Sequence, residues 1–315
     1  LWTGKEKYIR LNGVKIRTVS YEPAVIEVEV ETSCAGKVRI EIWSTDSAVD
    51  SDSVGCTDFL STDLAGSAER AGNTNVVESL TDVESADSIR RTEADLIVET
   101  QSRRVMQSCA KALVRIPVPD AKLWSCETPH LYTLRATFGE DVAEEAFGIR
   151  CLEWNAEEGM CINGKRGLLR GACIHHDNGI LGACAFPEAE ERKVRILKEN
   201  GYNALRSAHN PCSKALLSAC DRLGMLMVDE YADMWYIHKT EYDYANNLIS
   251  WWRKDLKALV EKDYNHPCVI MYSTGNEVSE TAQKRGIKLT RVFTRYLHRL
   301  DGTRPVTCGI NIFFN

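Results

Sequence analysis

Four short apolar segments in the second half of the chain each end in side chains able to do chemistry. IHHDNG carries His175, His176 and Asp177, and LRSAHNP carries Arg206, His209 and Asn210. MVDEYADMW carries Asp229, Glu230, Asp233 and Trp235, and VIMYSTGNEVSE carries Asn276 and Glu277. Stable folding does not ask for this set at successive strand ends. An amide beside a carboxylic acid has a definite use in sugar hydrolysis. Asn276 would hold a substrate hydroxyl while protonated Glu277 donates to the glycosidic oxygen, because an alkoxide is a poor leaving group. Trp235 beside a polar rim is the type of residue on which a pyranose stacks its C–H face.

Each residue also has a plainer reading. His175 and His176 are adjacent and cannot both face inward along a regular strand, so one belongs to the site and the other packs or supports. Arg206 could pair with Asp229 or Glu230 as scaffolding, and His209, before Asn-Pro, could bond loop backbone. Asp229 and Glu230 point in opposite directions, which makes one of them scaffold and lets the other reach the pocket. Trp251 and Trp252 lie on a helical stretch and read as core.

The elements that must position these residues follow from periodicity. After residue 148, apolar segments alternate with helical patterns: GLLRGACI, YNALRSA, MLMVDEY, PCVIMYSTG and RPVTCGI are separated by stretches such as PEAEERKVRILKENG and PCSKALLSACDRLG. Connections of that length predict parallel strands covered by helices. No GxGxxG or GxxxxGK[ST] occurs, which excludes the usual nucleotide cradles. A (β/α)8 barrel instead gathers its chemistry at the C-terminal ends of its strands, where the polar residues fall. Before residue 148 the period is two. VIEVEVE and KVRIEIW alternate apolar with charged residues, and DLIVET, CAKALVRIPVP and LYTLRATF supply a second apolar layer, predicting a β-sandwich of immunoglobulin size. The Trp of PDAKLWSCETPH is expected to cap that core. The fold class read from the sequence is therefore an immunoglobulin-like β-sandwich (1–152) followed by the first five β/α units of a TIM barrel (153–315). Residues 45–95 interrupt the sandwich with 12 acidic and 3 basic residues, a net of −9. So little apolar content predicts a mobile acidic insertion without a calcium-loop spacing.

Composition narrows the partners. With 44% hydrophobic and 27% charged residues and a net charge of −6, the chain is globular and lacks the basic stripe that nucleic acid requires. Its twelve cysteines show no zinc or redox spacing and suit a reducing, cytoplasmic compartment. No apolar run is long enough for a membrane span.

GACIHHDNGILGA, AEERKVRILKENGYNALRSAHNPCSKALLSACDRLGMLMVDEYADMW, YNHPCVIM and GNEVSE, spread over about residues 168–280, resemble in order the catalytic barrel of glycoside hydrolase family 2, the β-galactosidase and β-glucuronidase group. The preceding sandwich resembles the immunoglobulin-like domain of those enzymes. The resemblance implies a retaining exo-β-glycosidase with Glu277 as acid/base and Asn276 as the substrate-holding amide. His175 and His209 would line the sugar site, and Asp233 and Trp235 match the DMW variant of the strand-three loop; Arg206 is a candidate substrate contact from its place at a strand end alone. YADMW favours a β-galactosidase, with β-glucuronidase or another exo-β-glycosidase as the alternative. YADMWYIH departs from the magnesium-binding sequence of the large galactosidases, so neither metal nor cofactor is expected. The expected partner is a carbohydrate, with no nucleic acid and no membrane, and the complete enzyme could form a homo-oligomer. The family's nucleophile is a Glu at the end of the seventh barrel strand, for which the chain offers no counterpart. The chain is thus expected to be an internal portion of a longer enzyme and inactive by itself. Rival readings are a β-mannosidase, an endo-acting hydrolase with the same Asn-Glu pair, and a non-catalytic carbohydrate-binding or scaffold protein.

Overall fold

The computed structural model describes residues 7–45, 88–91, 95–106 and 109–311. The first part is an antiparallel sandwich of β1 (Ile9–Tyr21), β2 (Ala24–Thr32), β3 (Gly36–Ser44), β4 (Ser88–Arg91), β5 (Asp95–Met106), β6 (Cys109–Pro117), β7 (Tyr132–Phe138) and β8 (Asp141–Phe147). Strands run in the order β1-β2-β6-β5-β3-β7-β8, with β4 on β5. β5 belongs to both layers: its first part pairs with β3, and Arg103, Arg104 and Met106 pair with β6. The period of two is why the layers close. Ile26, Val28 and Val30 of β2 and Val38, Ile40 and Ile42 of β3 are buried in one core with Val114, Ile116, Leu134 and Phe138. The alternating acids of β2 lie on the opposite face, where Glu27 meets Arg17 and Arg115 and Glu29 meets Lys111. Residues 46–87, most of the expected acidic insertion, lie outside the described residues. At its margin, β4 pairs antiparallel with β5.

The second part is a five-stranded parallel sheet in sequential order, β12 (Gly171–Ile174), β13 (Ala204–Ser207), β14 (Leu226–Glu230), β15 (Val269–Ser273) and β16 (Val306–Thr307). Helices α1 (Pro187–Glu199), α2 (Lys214–Leu223), α3 (Ala245–Asp263) and α4 (Lys284–Leu300) connect them. Local chemistry sets their ends. Pro187 opens α1, and Ser213 caps α2 by accepting from Leu216 N at 3.0 Å. Gly224 ends α2 at φ 69°, where a Cβ would overlap Cys126 O. Trp252 is buried in the core shared by sheet and helices, whereas Trp251, expected there too, is exposed.

Between the two parts, β9 (Leu152–Asn155), β10 (Gly159–Ile162) and β11 (Lys165–Arg166) form an antiparallel meander that the sequence reading did not anticipate. Its Met160 joins the barrel core. Trp124 does so too, in departure from the expected cap on the sandwich: it is fully buried with the barrel residues, and its Nε1 donates to Asp221 O at 2.9 Å. Lys198 Nζ donates to Cys126 O at 2.6 Å, so the segment after Trp124 is held by α1. Asn265 bridges to the edge of β1, accepting from Ile16 N at 2.9 Å and donating to Val14 O at 2.8 Å. Arg150 donates to Pro267 O at 2.5 Å and Val269 O at 2.7 Å. Among the described residues, no helix is long and apolar enough to cross a membrane.

Candidate active site

The polar residues converge at the C-terminal ends of β12 to β15. Alternation along β14 sends its two carboxylates to opposite sides. Asp229 accepts from Ser207 Oγ at 2.6 Å, Cys212 N at 3.0 Å and, from α3, Lys262 Nζ at 2.7 Å. Burial would raise its carboxyl, but the Lys262 ion pair and these hydrogen bonds hold it below its ordinary value. Asp229 is therefore the scaffold member of the pair.

Lys262 also contacts Asp263, which is fully buried and whose Oδ2 has no hydrogen-bond partner. Burial and the nearby Asp229 push the Asp263 carboxyl well above its ordinary value, against the pull of Lys262. A carboxyl whose value is raised on folding holds its proton more tightly in the folded state. Stability is then lost as pH rises from the ordinary carboxylate value through the raised one. Asp263→Asn removes that loss and should raise stability at pH 7.5 by about 1 kcal/mol, with the gain fading toward about pH 4. Urea unfolding at both pH values checks this, and a gain independent of pH contradicts it.

Glu230 faces inward, fully buried, and is the hub of the site. Arg206 Nε and Nη2 donate to its Oε2 at 3.1 and 2.6 Å, and Ser273 Oγ donates to the same oxygen at 2.6 Å. His209 Nδ1 donates to Oε1 at 2.9 Å. That bond fixes the imidazole and leaves Nε2 for a ligand hydroxyl. With both oxygens taken by donors, one of them a guanidinium, Glu230 does not fit the role of a cation ligand. The His175 ring meets His209 edge-on with centroids 5.3 Å apart, while His176 turns away and donates to Pro211 O at 3.1 Å. Asp177 is used locally, accepting from Gly179 N at 2.8 Å.

Asn276 joins this hub to the loop after β14. Its Oδ1 accepts from Arg206 Nη2 at 3.0 Å and its Nδ2 donates to Asp233 Oδ1 at 2.9 Å. Lys239 Nζ donates to Asp233 Oδ1 at 2.8 Å and to Asn276 O at 2.7 Å. Burial works against the charged form of Asp233, but the bonds from Lys239 and Asn276 outweigh it and keep its carboxyl below the ordinary value. The amide thus has a defined orientation, with one N–H and one lone pair left over.

Glu277 is exposed and sits in the left-handed region at φ 44°. That conformation costs a non-glycine residue of the order of 1 kcal/mol and persists only where the surroundings impose it. They do so from both sides. A Cβ at Gly275 would come within 2.9 Å of Trp235 Nε1, and one at Gly309 within 2.9 Å of Gly275 O. Gly309 N donates to Gly275 O at 2.7 Å, and Val278 N to Gly309 O at 3.1 Å, so the extension of β16 clamps the turn.

Trp235 departs from the expected sugar platform. It is fully buried, its ring packs edge-on against Phe293 of α4, and its Nε1 donates to Thr274 O at 2.8 Å. With no exposed face it cannot stack a pyranose; it supports the turn that presents Glu277. Arg206, Asp233, Asn276, His209 and His175 are brought together, with Glu277 on the adjoining turn. Lys239, Ser273 and Glu280, to which no sequence motif gave a role, also join the network. Ser273 and Glu280 flank the GNE motif, a proximity that could have flagged them, whereas nothing near Lys239 marked it.

Two family models match the chain: "Glycosyl hydrolases family 2" over residues 38–150 and "Glycosyl hydrolases family 2, TIM barrel domain" over 155–312. Beta-galactosidase BoGH2A of Bacteroides ovatus is 33% identical over 290 residues, covering 80% of this chain and 33% of that protein. A putative beta-glucuronidase of Formosa agariphila is 32% identical over 210 residues, covering 63% of this chain and 20% of that protein. The crystal structure of a glycosyl hydrolase family 2 member from Bacteroides cellulosilyticus DSM 14838 superposes with a TM-score of 0.72 at 32% identity, covering 96% of this chain and 37% of that one. The chain thus spans a third or less of the length of these two curated relatives. Sandwich, parallel half-barrel and motif order all agree with these matches: the chain belongs to glycoside hydrolase family 2.

Proposed function

We propose that the enzyme carrying this chain is a retaining exo-β-glycosidase that removes terminal β-linked sugars, with Glu277 as acid/base and Asn276 as the amide that holds a hydroxyl beside the breaking bond. The observation that carries the reading is the turn after β15, where Asn276 is locked by Arg206 and Asp233 and the next residue, Glu277, is held exposed. A locked amide beside an exposed acid suits a substrate fixed before proton transfer. His209 Nε2, Asp233 and His175 would meet the sugar's other hydroxyls.

β-Galactosidase is the reading favoured by YADMW, and β-glucuronidase is an equal contender because both names occur among the relatives. A retaining mechanism needs a second carboxylate about 5 Å from the acid. Glu230 and Asp233 are the carboxylates bonded into this network, each occupied by cationic donors, and neither is proposed as the nucleophile. The nucleophile would then come from a segment other than this one.

Nitrophenyl β-galactoside and β-glucuronide offered to the complete enzyme discriminate the sugars, and proton NMR of the first-formed product reads the stereochemistry. Turnover of one glycoside with the β-anomer released first is expected. Release of the α-anomer first defeats the retaining reading, and no turnover of either glycoside excludes both named sugars. Residues 1–315 assayed by themselves should give no turnover above their Glu277→Gln variant.

A further inference from the structure

We propose that Glu280 is a positioning residue for this site, acting by clasping the loop after β14 to the turn that carries Asn276 and Glu277. The proposal rests on the glycosidase reading and adds to it a residue outside the sugar pocket. Glu280 lies on a 3-10 turn (Ser279–Ala282) and is 1% exposed. Its Oε1 accepts from three successive backbone amides, Trp235 N at 3.2 Å, Tyr236 N at 2.8 Å and Ile237 N at 2.8 Å. One carboxylate oxygen thus gathers a segment that has no strand or helix of its own to satisfy its N–H groups.

The clasp has further points of attachment. Trp235 Nε1 reaches Thr274 O, Tyr236 Oη donates to Gln283 Oε1 at 3.1 Å, and Asn276 N donates to Ala232 O at 3.2 Å. Lys239, two residues beyond the clasped amides, closes on Asn276 O and Asp233. Glu280 itself cannot drift, because Gly286 of α4 is pressed against its carbonyl so tightly that any Cβ there would overlap it. Asp233 and Lys239 on one loop and Asn276 and Glu277 on the other are thereby held as one unit anchored on α4. Without the clasp, the loop would be free to leave Asn276, and the turn beneath Glu277 would lose its Trp235 support.

The test uses the complete enzyme and a glycoside with a poor leaving group. Glu280→Ala should lower kcat about tenfold or more with a smaller change in KM, because the geometry matters most in the transition state. Glu280→Gln presents the same carbonyl oxygen to the three amides and should recover kcat to within about threefold of the parent. Combined with Glu277→Gln, the Glu280→Ala loss should shrink, because a misplaced acid costs nothing once the acid is gone. A general structural defect would instead give the same fold loss in both backgrounds. If Glu280→Ala does not accumulate folded, Glu280→Asp, which withdraws the carboxylate by one methylene, carries the same comparison. Equal kcat in the Ala (or Asp) and Gln variants, or simple additivity with Glu277→Gln, overturns the proposal. Absence of any effect of Glu277→Gln alone would instead mark failure of the glycosidase reading.

Discussion

Replacing Glu277 with glutamine in the complete enzyme should slow turnover of natural β-glycosides by about 10²-fold or more. The amide cannot donate a proton to the leaving oxygen in the first step, nor accept one from water in the second. The site around it should be unchanged, because Glu277 is exposed and the turn is held by Trp235 and Gly309 through contacts that do not use the carboxylate. Dinitrophenyl glycosides, whose leaving group departs with little proton assistance, should lose far less in the glycosylation step, and added azide should speed the second step by replacing water with a nucleophile that needs no base. Steady-state and burst kinetics on the two substrate types measure this. An equal loss on both under glycosylation-limited conditions would exclude Glu277 as the acid.

The second large effect is expected at Glu230. Glutamine there keeps the shape but turns one acceptor into a donor facing Arg206 and Ser273, or His209. The pair is buried on the carboxylate side, while the Arg206 side chain retains 29% of its exposure, so the penalty falls at the low end for a broken buried ion pair, about 3 kcal/mol. Function should fall further than stability alone explains. Arg206 would release Asn276 Oδ1 and His209 would lose its ring anchor, misplacing both groups by enough to lower kcat/KM by about 10²-fold even where the protein is fully folded. Urea unfolding and kinetics on the same preparation separate the two effects. A stability change within about 0.5 kcal/mol would mean that the hub is not a hub. Parallel loss on natural and activated glycosides is expected, in contrast to Glu277→Gln, because orientation of the sugar serves both.

Much of this was legible along the chain. Alternation in VIEVEVE and KVRIEIW specified which side chains would be dry, and Ile26, Val28, Val30, Val38, Ile40 and Ile42 are indeed buried. The succession of apolar segments and helical stretches specified parallel strands covered by helices, because connections of that length cannot be hairpins, and the polar residues at the strand ends then favoured the sequential order of a barrel, which the sheet has. The adjacency of Asp229 and Glu230 already required opposite orientations, and the residue types at four strand ends marked a shared rim. These inferences depend on nearest neighbours and on local periodicity, which sequence carries directly.

What residues do once they are near each other was decided only in three dimensions. Trp235 reads along the chain as an aromatic on a polar rim, but Phe293, brought over it by α4, and Thr274 O, aligned with its indole N–H, take away its free surface. Trp124 reads as part of the sandwich, yet the carbonyl of Asp221 and the apolar interior beneath the barrel offer its ring deeper burial and its N–H a partner. Glu280 is one acid among many until three amides of a distant loop turn toward it, and Lys239 gains its place only because two loops meet. Burial and hydrogen-bond satisfaction are properties of the whole set of neighbours, most of them remote in sequence. Residue types and spacing therefore determined which groups would gather at the rim, and packing determined which of them would stay exposed there and which would hold the others still.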